Sequence, residues 1–231
     1  MKVRNQPPAA WRCIMALLLG LIWGARGRRF LFRKLLGYQI HPTAFIGHSF
    51  VRVMSLEMGP RSKLGHLTII RNVRRVVLEE QSRIGTFNWI FGMLESDKHF
   101  LEESERAPEF IMKPHSSITS RHIVDCTDSV QIGAFSTVAG FNTQILTHGI
   151  DVTNSRQSSA PVRIGDHCLL GTNCIILKGS VLPNRTILAA GSVFRGAPAE
   201  EGALFSGLPA TAVRTLPHES RYFSRAIGPI D

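Results

Sequence analysis

Between Val162 and Phe194 an apolar residue returns at every sixth position: Ile164, Leu170, Ile176, Leu182, Leu188 and Phe194. Neither the turn of an α-helix nor the alternation of a half-buried strand produces that period. A hexapeptide repeat does, with each unit forming one short flat side of a parallel β-coil and the large aliphatic filling its interior. The second position holds Gly165, Gly171, Leu177, Pro183 or Ala189, and the fifth holds Cys168, Cys174, Ser180, Thr186 or Ser192. Small residues there let the chain pack near a corner, and glycine is expected to permit the turn.

The same register opens at Ile40 and Ile46 and continues through Met58, Leu64, Ile70 and Val76. It resumes after a shift of two at Leu78, Ile84 and Ile90, and again at Ile132 and Val138. Two stretches break it: 93–113, charged and irregular (Glu95, Asp97, Lys98, Glu102, Glu103, Glu105, Arg106), and 149–161, polar and Ser-rich. In a solenoid such insertions loop out of one coil, and binding surfaces are commonly built on them. The organisation read from this is an N-terminal arm over 1–39, an all-β solenoid domain over 40–199 carrying both insertions, and a C-terminal tail over 200–231. Stacked at the spacing of parallel strands, roughly seven coils would stand roughly 30 Å tall.

The net charge of +10 is unevenly placed. Residues 1–40 hold eight bases and no acid (Lys2, Arg4, Arg12, Arg26, Arg28, Arg29, Arg33, Lys34), so the remaining chain carries only +2. The basicity belongs to the arm, and a nearly neutral body without recognition elements argues against nucleic acid. The arm's apolar run from Cys13 to Trp23 is shorter than the roughly 20 residues a spanning helix needs. It ends in Ala25-Arg-Gly-Arg-Arg29, where a signal peptide would carry small residues for cleavage. Residues 10–37 therefore read as one or two amphipathic helices lying on the anionic inner face of the membrane, the alternative being a cap on the open end of the coil. The expected location is cytoplasmic, peripheral to the inner membrane.

The four cysteines are Cys13, Cys126, Cys168 and Cys174. Cys168 and Cys174 fall on successive interior corner positions, a spacing unlike a metal knuckle, which leaves a reduced cytoplasmic protein with no metal expected. Among the nine histidines, His41, His48, His66 and His167 occupy hexapeptide positions that mostly face solvent. His148 differs, because it stands where the coil gives way to the second insertion. A side chain there projects from a rigid wall into a loop-bordered groove, as a general base requires, and imidazole takes a proton near neutrality. Asp151, three residues on, is the candidate to orient it. His122 with Asp125 is a weaker pair.

The run Val162-Arg-Ile-Gly-Asp-His-Cys-Leu-Leu-Gly-Thr-Asn-Cys-Ile-Ile, then Leu188-Ala-Ala-Gly-Ser-Val and Gly207-Leu-Pro-Ala-Thr-Ala-Val-Arg214, resembles the hexapeptide-repeat acyltransferases, in particular the sugar and polysaccharide O-acetyltransferases. The resemblance spans about residues 40–215. It implies a left-handed parallel β-helix, where the general crossover rule would give the opposite hand. It also implies a homotrimer, acetyl-CoA as co-substrate in a cleft between subunits, and a sugar or glycan acceptor from surface polysaccharide or lipopolysaccharide. Carried over by position, His148 matches the family's catalytic histidine and Thr172 the hydroxyl residue near the thioester. Ala190 matches the residue whose backbone meets the pantetheine arm, and Arg195 and Arg214 match the basic residues that suit CoA phosphates. Leu169 and Thr211 depart from the family's aromatic and arginine. Two other readings share the coil: a γ-type carbonic anhydrase-like metalloenzyme, whose three zinc histidines need a close pair that this chain lacks, and a non-catalytic scaffold.

Overall fold

A computed structural model describes residues 10–94, 99–100 and 105–228. Lys2 and Arg4 of the arm, and Glu95, Asp97, Lys98, Glu102 and Glu103 of the first insertion, lie outside the described residues. From Gln39 to Phe194 the chain winds seven times around a triangular prism, a left-handed parallel β-helix. The first face stacks Gln39–Ile40, Ser55–Met58, Arg75–Leu78, Glu109–Met112, Val130–Ile132, Val162–Ile164 and Val181–Leu182. The second runs from Phe45–Ile46 to Ile187–Leu188, and the third from Phe50–Arg52 to Val193–Phe194. Each two-residue strand turns one side chain inward, so Ile164, Leu170, Ile176, Leu182, Leu188 and Phe194 are all buried. The repeat read from the sequence is the register of the prism.

Where the sequence register slips by two, the first face has strands of four residues. Ser55–Met58 pairs with Arg75–Leu78, and Leu56, Met58, Val76 and Leu78 all point inward. The corners work differently from the expectation. Gly133, Gly165 and Gly171 do not have positive φ; the left-handed residues are Phe135, His167 and Asn173, two places further on, with φ of 56–58°. The second-position glycines serve close approach instead. A Cβ on Gly171 would stand 2.6 Å from the Ala190 nitrogen one coil away, and one on Gly133 would collide with the Gly165 carbonyl. Stacking at strand spacing leaves no room for a side chain there.

Both open ends of the prism are closed by the chain's own flanks. Helix α1 (Ala10–Leu21) and helix α2 (Ala25–Leu36) fold over the first coil, α2 ending at a left-handed Gly37 whose N–H bonds to the Phe32 carbonyl. Leu19, Phe32 and Leu36 join Ile40, Ile46 and Val51 in one core. Arg28, 1% exposed, donates to the Ile46 carbonyl through Nε and Nη2 (2.9 and 2.8 Å) and to the Ile22 carbonyl through Nη1 (2.6 Å). His48, expected to face solvent, lies beneath this arm against Arg28 and the Gly20 carbonyl. The arm is therefore a cap, yet its outer side keeps Trp11, Ile14, Leu17, Leu18, Leu21, Trp23, Phe30 and Leu35 in solvent. Among the described residues no helix is long and apolar enough to cross a membrane.

Three boundaries shift. Glu109–Met112, placed in the first insertion from sequence, is a first-face strand with Phe110 and Met112 buried. Its neighbouring charges hid the alternation. The second insertion is an antiparallel hairpin that begins at His148, pairing His148–Asp151 with Arg156–Ser159. The tail is not separate from the solenoid: Ala203–Gly207 adds to the second face beside Ile187–Leu188, and Ala210–Thr215 folds back on it. Phe205 thereby closes the C-terminal end against Phe194, ring centroids 5.5 Å apart. The chain then runs back along the corner between first and second faces, where Tyr222 donates to the Cys168 carbonyl (2.9 Å).

Candidate active site

His148 sits at the edge where the chain leaves the third face, on the first strand of the hairpin. One coil earlier the same edge carries Asp125, since Val124 pairs with Ile145. Asp125 is completely buried, and its carboxylate collects donors. Oδ1 accepts the Thr127 N–H (2.9 Å) and hydroxyl (2.6 Å). Oδ2 accepts the N–H groups of Thr147 (2.9 Å) and His148 (3.1 Å), and His148 Nδ1 at 2.6 Å. Burial pushes this carboxyl up, but the bonds from His148 and Thr127 outweigh it and hold it below the ordinary value. The hydrogen bond to Asp125 in turn raises the pKa of His148, against burial and the nearby charges of Lys178 and Arg106. With Nδ1–H donated to the carboxylate, Nε2 is the proton acceptor of the neutral ring, and among the described residues it has no hydrogen-bond partner.

Asp151 does not orient this ring. Side chains three apart on a strand point to opposite faces, and Asp151 turns away to cap the hairpin loop. It accepts Thr153 and Asn154 N–H groups (3.0 and 3.2 Å) and the Asn154 amide (2.8 Å). His122 and Asp125 do not pair either. His122 Nδ1 accepts the Thr143 N–H (3.1 Å), so Nε2–H faces the Thr119 hydroxyl (2.8 Å), and burial drives its pKa down to about 4. It is a neutral structural histidine.

Three further groups surround His148 that the sequence reading passed over. The first insertion brings Phe100 edge-on to the imidazole, centroids 6.2 Å apart at 84°. Arg106 lies 4.6 Å under the Phe100 ring and donates to the Thr127 carbonyl (2.7 Å), anchoring the insertion beside Asp125. One coil on, Lys178 donates to the hairpin at Ser158, and His99 meets Gln157 at 3.3 Å. The two insertions thus close together around one histidine. A count of coil lengths would have put Asp125 beside His148, but no local signal marks Phe100, since packing across coils is not written in neighbouring residues.

The other predicted residues lie elsewhere. Arg195 is exposed on the same leaving edge as His148 and Lys178. Thr172 and Ala190 are exposed on the opposite, entering edge of the third face, separated from His148 by roughly 15–20 Å of strand. The Thr172 hydroxyl is engaged, donating to the Phe141 carbonyl (2.9 Å) and accepting its N–H (3.0 Å). Arg214 is exposed on the outer strand Ala210–Thr215, opposite Leu204 on the second face. One chain does not bring His148 and the Thr172–Ala190 edge together. Cys168 and Cys174 are buried thiols donating to the Pro183 and Ala189 carbonyls (3.1 and 3.2 Å), and burial pushes the Cys168 thiol up to about 12. Among the described residues no three His, Cys, Asp or Glu side chains are grouped to hold a metal ion.

With this geometry in view, the chain compares as follows. No protein-family model matches it. Over 68 residues it is 32% identical to WbbJ of Escherichia coli (strain K12), named as an O-acetyl transferase of lipopolysaccharide biosynthesis; the match covers 29% of this chain and only 34% of WbbJ. The crystal structure of the polysialic acid O-acetyltransferase OatWY superposes with a TM-score of 0.60 at 17% identity, covering 80% of this chain and 90% of that one. The hexapeptide-repeat acetyltransferase VCA0836 of Vibrio cholerae O1 biovar eltor, solved with acetyl coenzyme A, gives 0.49 at 18% identity, covering 88% and 84%. The fold is that of a hexapeptide-repeat β-helix, shared with OatWY.

Proposed function

We propose that this protein is an O-acetyltransferase that moves an acetyl group from acetyl-CoA to a hydroxyl of a sugar in a surface polysaccharide or lipopolysaccharide precursor. The observation that carries the proposal is the Asp125–His148 pair at a loop-bordered edge, with Nε2 unpartnered among the described residues and Nδ1 locked to a buried carboxylate at 2.6 Å. In this reading Nε2 takes the proton of the acceptor hydroxyl as its oxygen attacks the thioester carbonyl. Asp125 stabilises the resulting imidazolium, which then protonates the departing CoA thiolate. No thiol of the prism suits an acyl-enzyme route, because Cys126, Cys168 and Cys174 are buried with raised pKa values and Cys13 lies on α1 over the first coil, so both substrates react in one ternary complex. The shared fold with OatWY and the partial match to WbbJ support sugar O-acetylation by analogy.

The donor would lie along Thr172 and Ala190, with Arg195 and Arg214 facing its phosphates. Both arginines are exposed and unpartnered among the described residues, as phosphate contacts require. A homotrimer would supply the missing juxtaposition, setting the entering edge of one copy against the His148 edge of the next. The apolar side chains Leu67, Ile69, Phe87, Trp89 and Phe141, exposed along that entering edge and face, support burial by a second copy. The outer apolar side of α1 and α2 with the one-signed charge of the arm supports contact with an anionic membrane, near lipid-linked acceptors.

The decisive experiment incubates the protein with acetyl-CoA and surface glycan from cells lacking the gene, reading CoA thiol release and the added acetyl mass. His148→Ala should cut transfer by about 10²–10⁴-fold without loss of folding. Transfer within about threefold of the parent near neutral pH would remove His148 from the mechanism.

A further inference from the structure

The first insertion leaves the third face after Phe91 and rejoins the prism at Glu109. Both of its ends are gathered by one buried side chain, Arg106. Nη1 donates to the Met93 carbonyl and Nη2 to the Leu94 carbonyl (3.2 Å), where the insertion begins. Nη1 also donates to the Thr127 carbonyl (2.7 Å), on the corner that follows Asp125. Beside it the Ala107 N–H bonds to the Asp128 carboxylate (3.2 Å). A planar fork can hold three carbonyls from separate segments at once, which a lysine ammonium on a flexible stem does far less rigidly. The same guanidinium lies 4.6 Å under the Phe100 ring. Glu109–Met112 pairs with Arg75–Leu78 through the backbone alone, so the bonds of Arg106 fix the insertion and not the coil.

These contacts form a closed circuit. His148 Nδ1 bonds to Asp125 (2.6 Å), and Asp125 accepts the Thr127 hydroxyl (2.6 Å). The Thr127 carbonyl accepts Arg106, Arg106 underlies Phe100, and Phe100 returns edge-on to the His148 ring. We propose that Arg106 is a positioning residue: it closes this circuit, so that the aromatic wall offered to the acceptor and the base that deprotonates it are held as one unit. The inference rests on the acetyl-transfer reading above and extends it to how the acceptor hydroxyl is aimed at Nε2. Turnover depends steeply on such alignment, since a misplacement of about 1 Å can cost about 10²-fold. Charge is the second part of the role. Acting on His148 are Asp125 from the coil before, Lys178 from the coil after and Arg106 from the insertion. His99 of the insertion is engaged with Gln157 on the hairpin, and Asp151 is turned away to the hairpin loop. Arg106 opposes Asp125, so losing its charge should leave the ring easier to protonate.

The test compares Arg106→Met and Arg106→Lys in the full chain with the parent, by steady-state kinetics and by NMR titration of the His148 imidazole. Arg106→Met should lower turnover about 10- to 100-fold and raise the Michaelis constant for the sugar about 3- to 10-fold, leaving that for acetyl-CoA unchanged. Its His148 titration midpoint should move up. Arg106→Lys keeps the charge and loses the fork, so it should restore the midpoint while turnover stays below that of the parent. Adding Phe100→Ala to Arg106→Met should cost less than the product of the two single effects, because the ring has already lost its anchor. Parent-like turnover in Arg106→Met, an unmoved midpoint, or a fully multiplicative double variant overturns the proposal. So does an Arg106→Met chain that fails to fold, because the residue would then serve the prism itself. The titration needs no substrate and separates the two ideas. A shifted midpoint in a protein that transfers no acetyl group keeps the circuit and sinks the acetyl-transfer reading. Transfer by the parent, with an unmoved midpoint in Arg106→Met, sinks the circuit alone.

Discussion

At the scale of single residues, the pair that matters joins side chains 23 positions apart, and its charge state sets a pH dependence. Asp125 raises the pKa of His148, while His148 and Thr127 lower that of Asp125. A general base must be neutral, so transfer should rise with pH through a midpoint above the ordinary imidazole value of about 6.5. Asp125→Asn should move that midpoint down and lower the plateau, because the amide neither stabilises imidazolium nor holds the same tautomer; a rate–pH profile reads both. The same pair has a stability signature. Its histidine contribution is present below the unfolded imidazole pKa and fades as pH rises through the raised folded value. Its aspartate contribution is present above the unfolded carboxyl pKa and is lost as pH falls through the lowered one. Phe100 stands edge-on to the ring and, on the proposed function, walls the acceptor side. Phe100→Ala should raise the Michaelis constant for the sugar about 3- to 10-fold while leaving that for acetyl-CoA alone, as expected for an aromatic contact worth about 0.5–1.5 kcal/mol. Equal changes for both substrates would show that the ring serves folding alone.

At the scale of elements, the repeat was legible because one buried aliphatic per hexapeptide is a one-dimensional signal. Its spacing survives in sequence wherever no insertion interrupts it, and so the faces through Ile164–Phe194 and Met58–Val76 could be read directly. Glu109–Met112 could not, because its inward Phe110 and Met112 follow a charged insertion. The glycine role was misread for a related reason: sequence shows where glycine stands but not whether it turns the chain or lets the next coil approach. Gly133→Ala tests the close approach, because Gly133 has no positive φ and the added methyl meets only the Gly165 coil; the cost should be about 1–3 kcal/mol in denaturant melts. An unchanged midpoint would mean that the coils are not stacked in this register. His148 was legible as the residue where the repeat breaks. Its partner was not, since Asp151 is nearer in sequence and Asp125 nearer in space.

For the whole molecule, the arm has two sides: the inner one closes the prism, and the outer one is exposed and proposed for the membrane, readings which the sequence offered only as alternatives. Its inner side, Leu19, Phe32 and Leu36, is continuous with the core, and Arg28 pins it to the first coil. Deleting residues 1–37 would uncover Ile40, Ile46 and Val51, so the truncated protein should melt lower and aggregate. Leu17→Glu with Leu21→Glu, both on the exposed outer side, should instead preserve the melting temperature and abolish pelleting with anionic vesicles. If the double variant still pellets, the outer side is not the contact.

The register between coils has a consequence of another kind. Val130, Gln131 and Ile132 pair with Val162, Arg163 and Ile164 as directly as if the hairpin between them did not exist, and Glu109–Met112 meets Arg75–Leu78 with the same indifference to the first insertion. The prism therefore keeps no memory of loop length. Over generations both loops around His148 can be lengthened, exchanged or rewritten while the neighbouring coils stay in step. On the function proposed above, a lineage of such chains would change its acceptor by editing Phe100 and the hairpin alone, inheriting its scaffold unaltered.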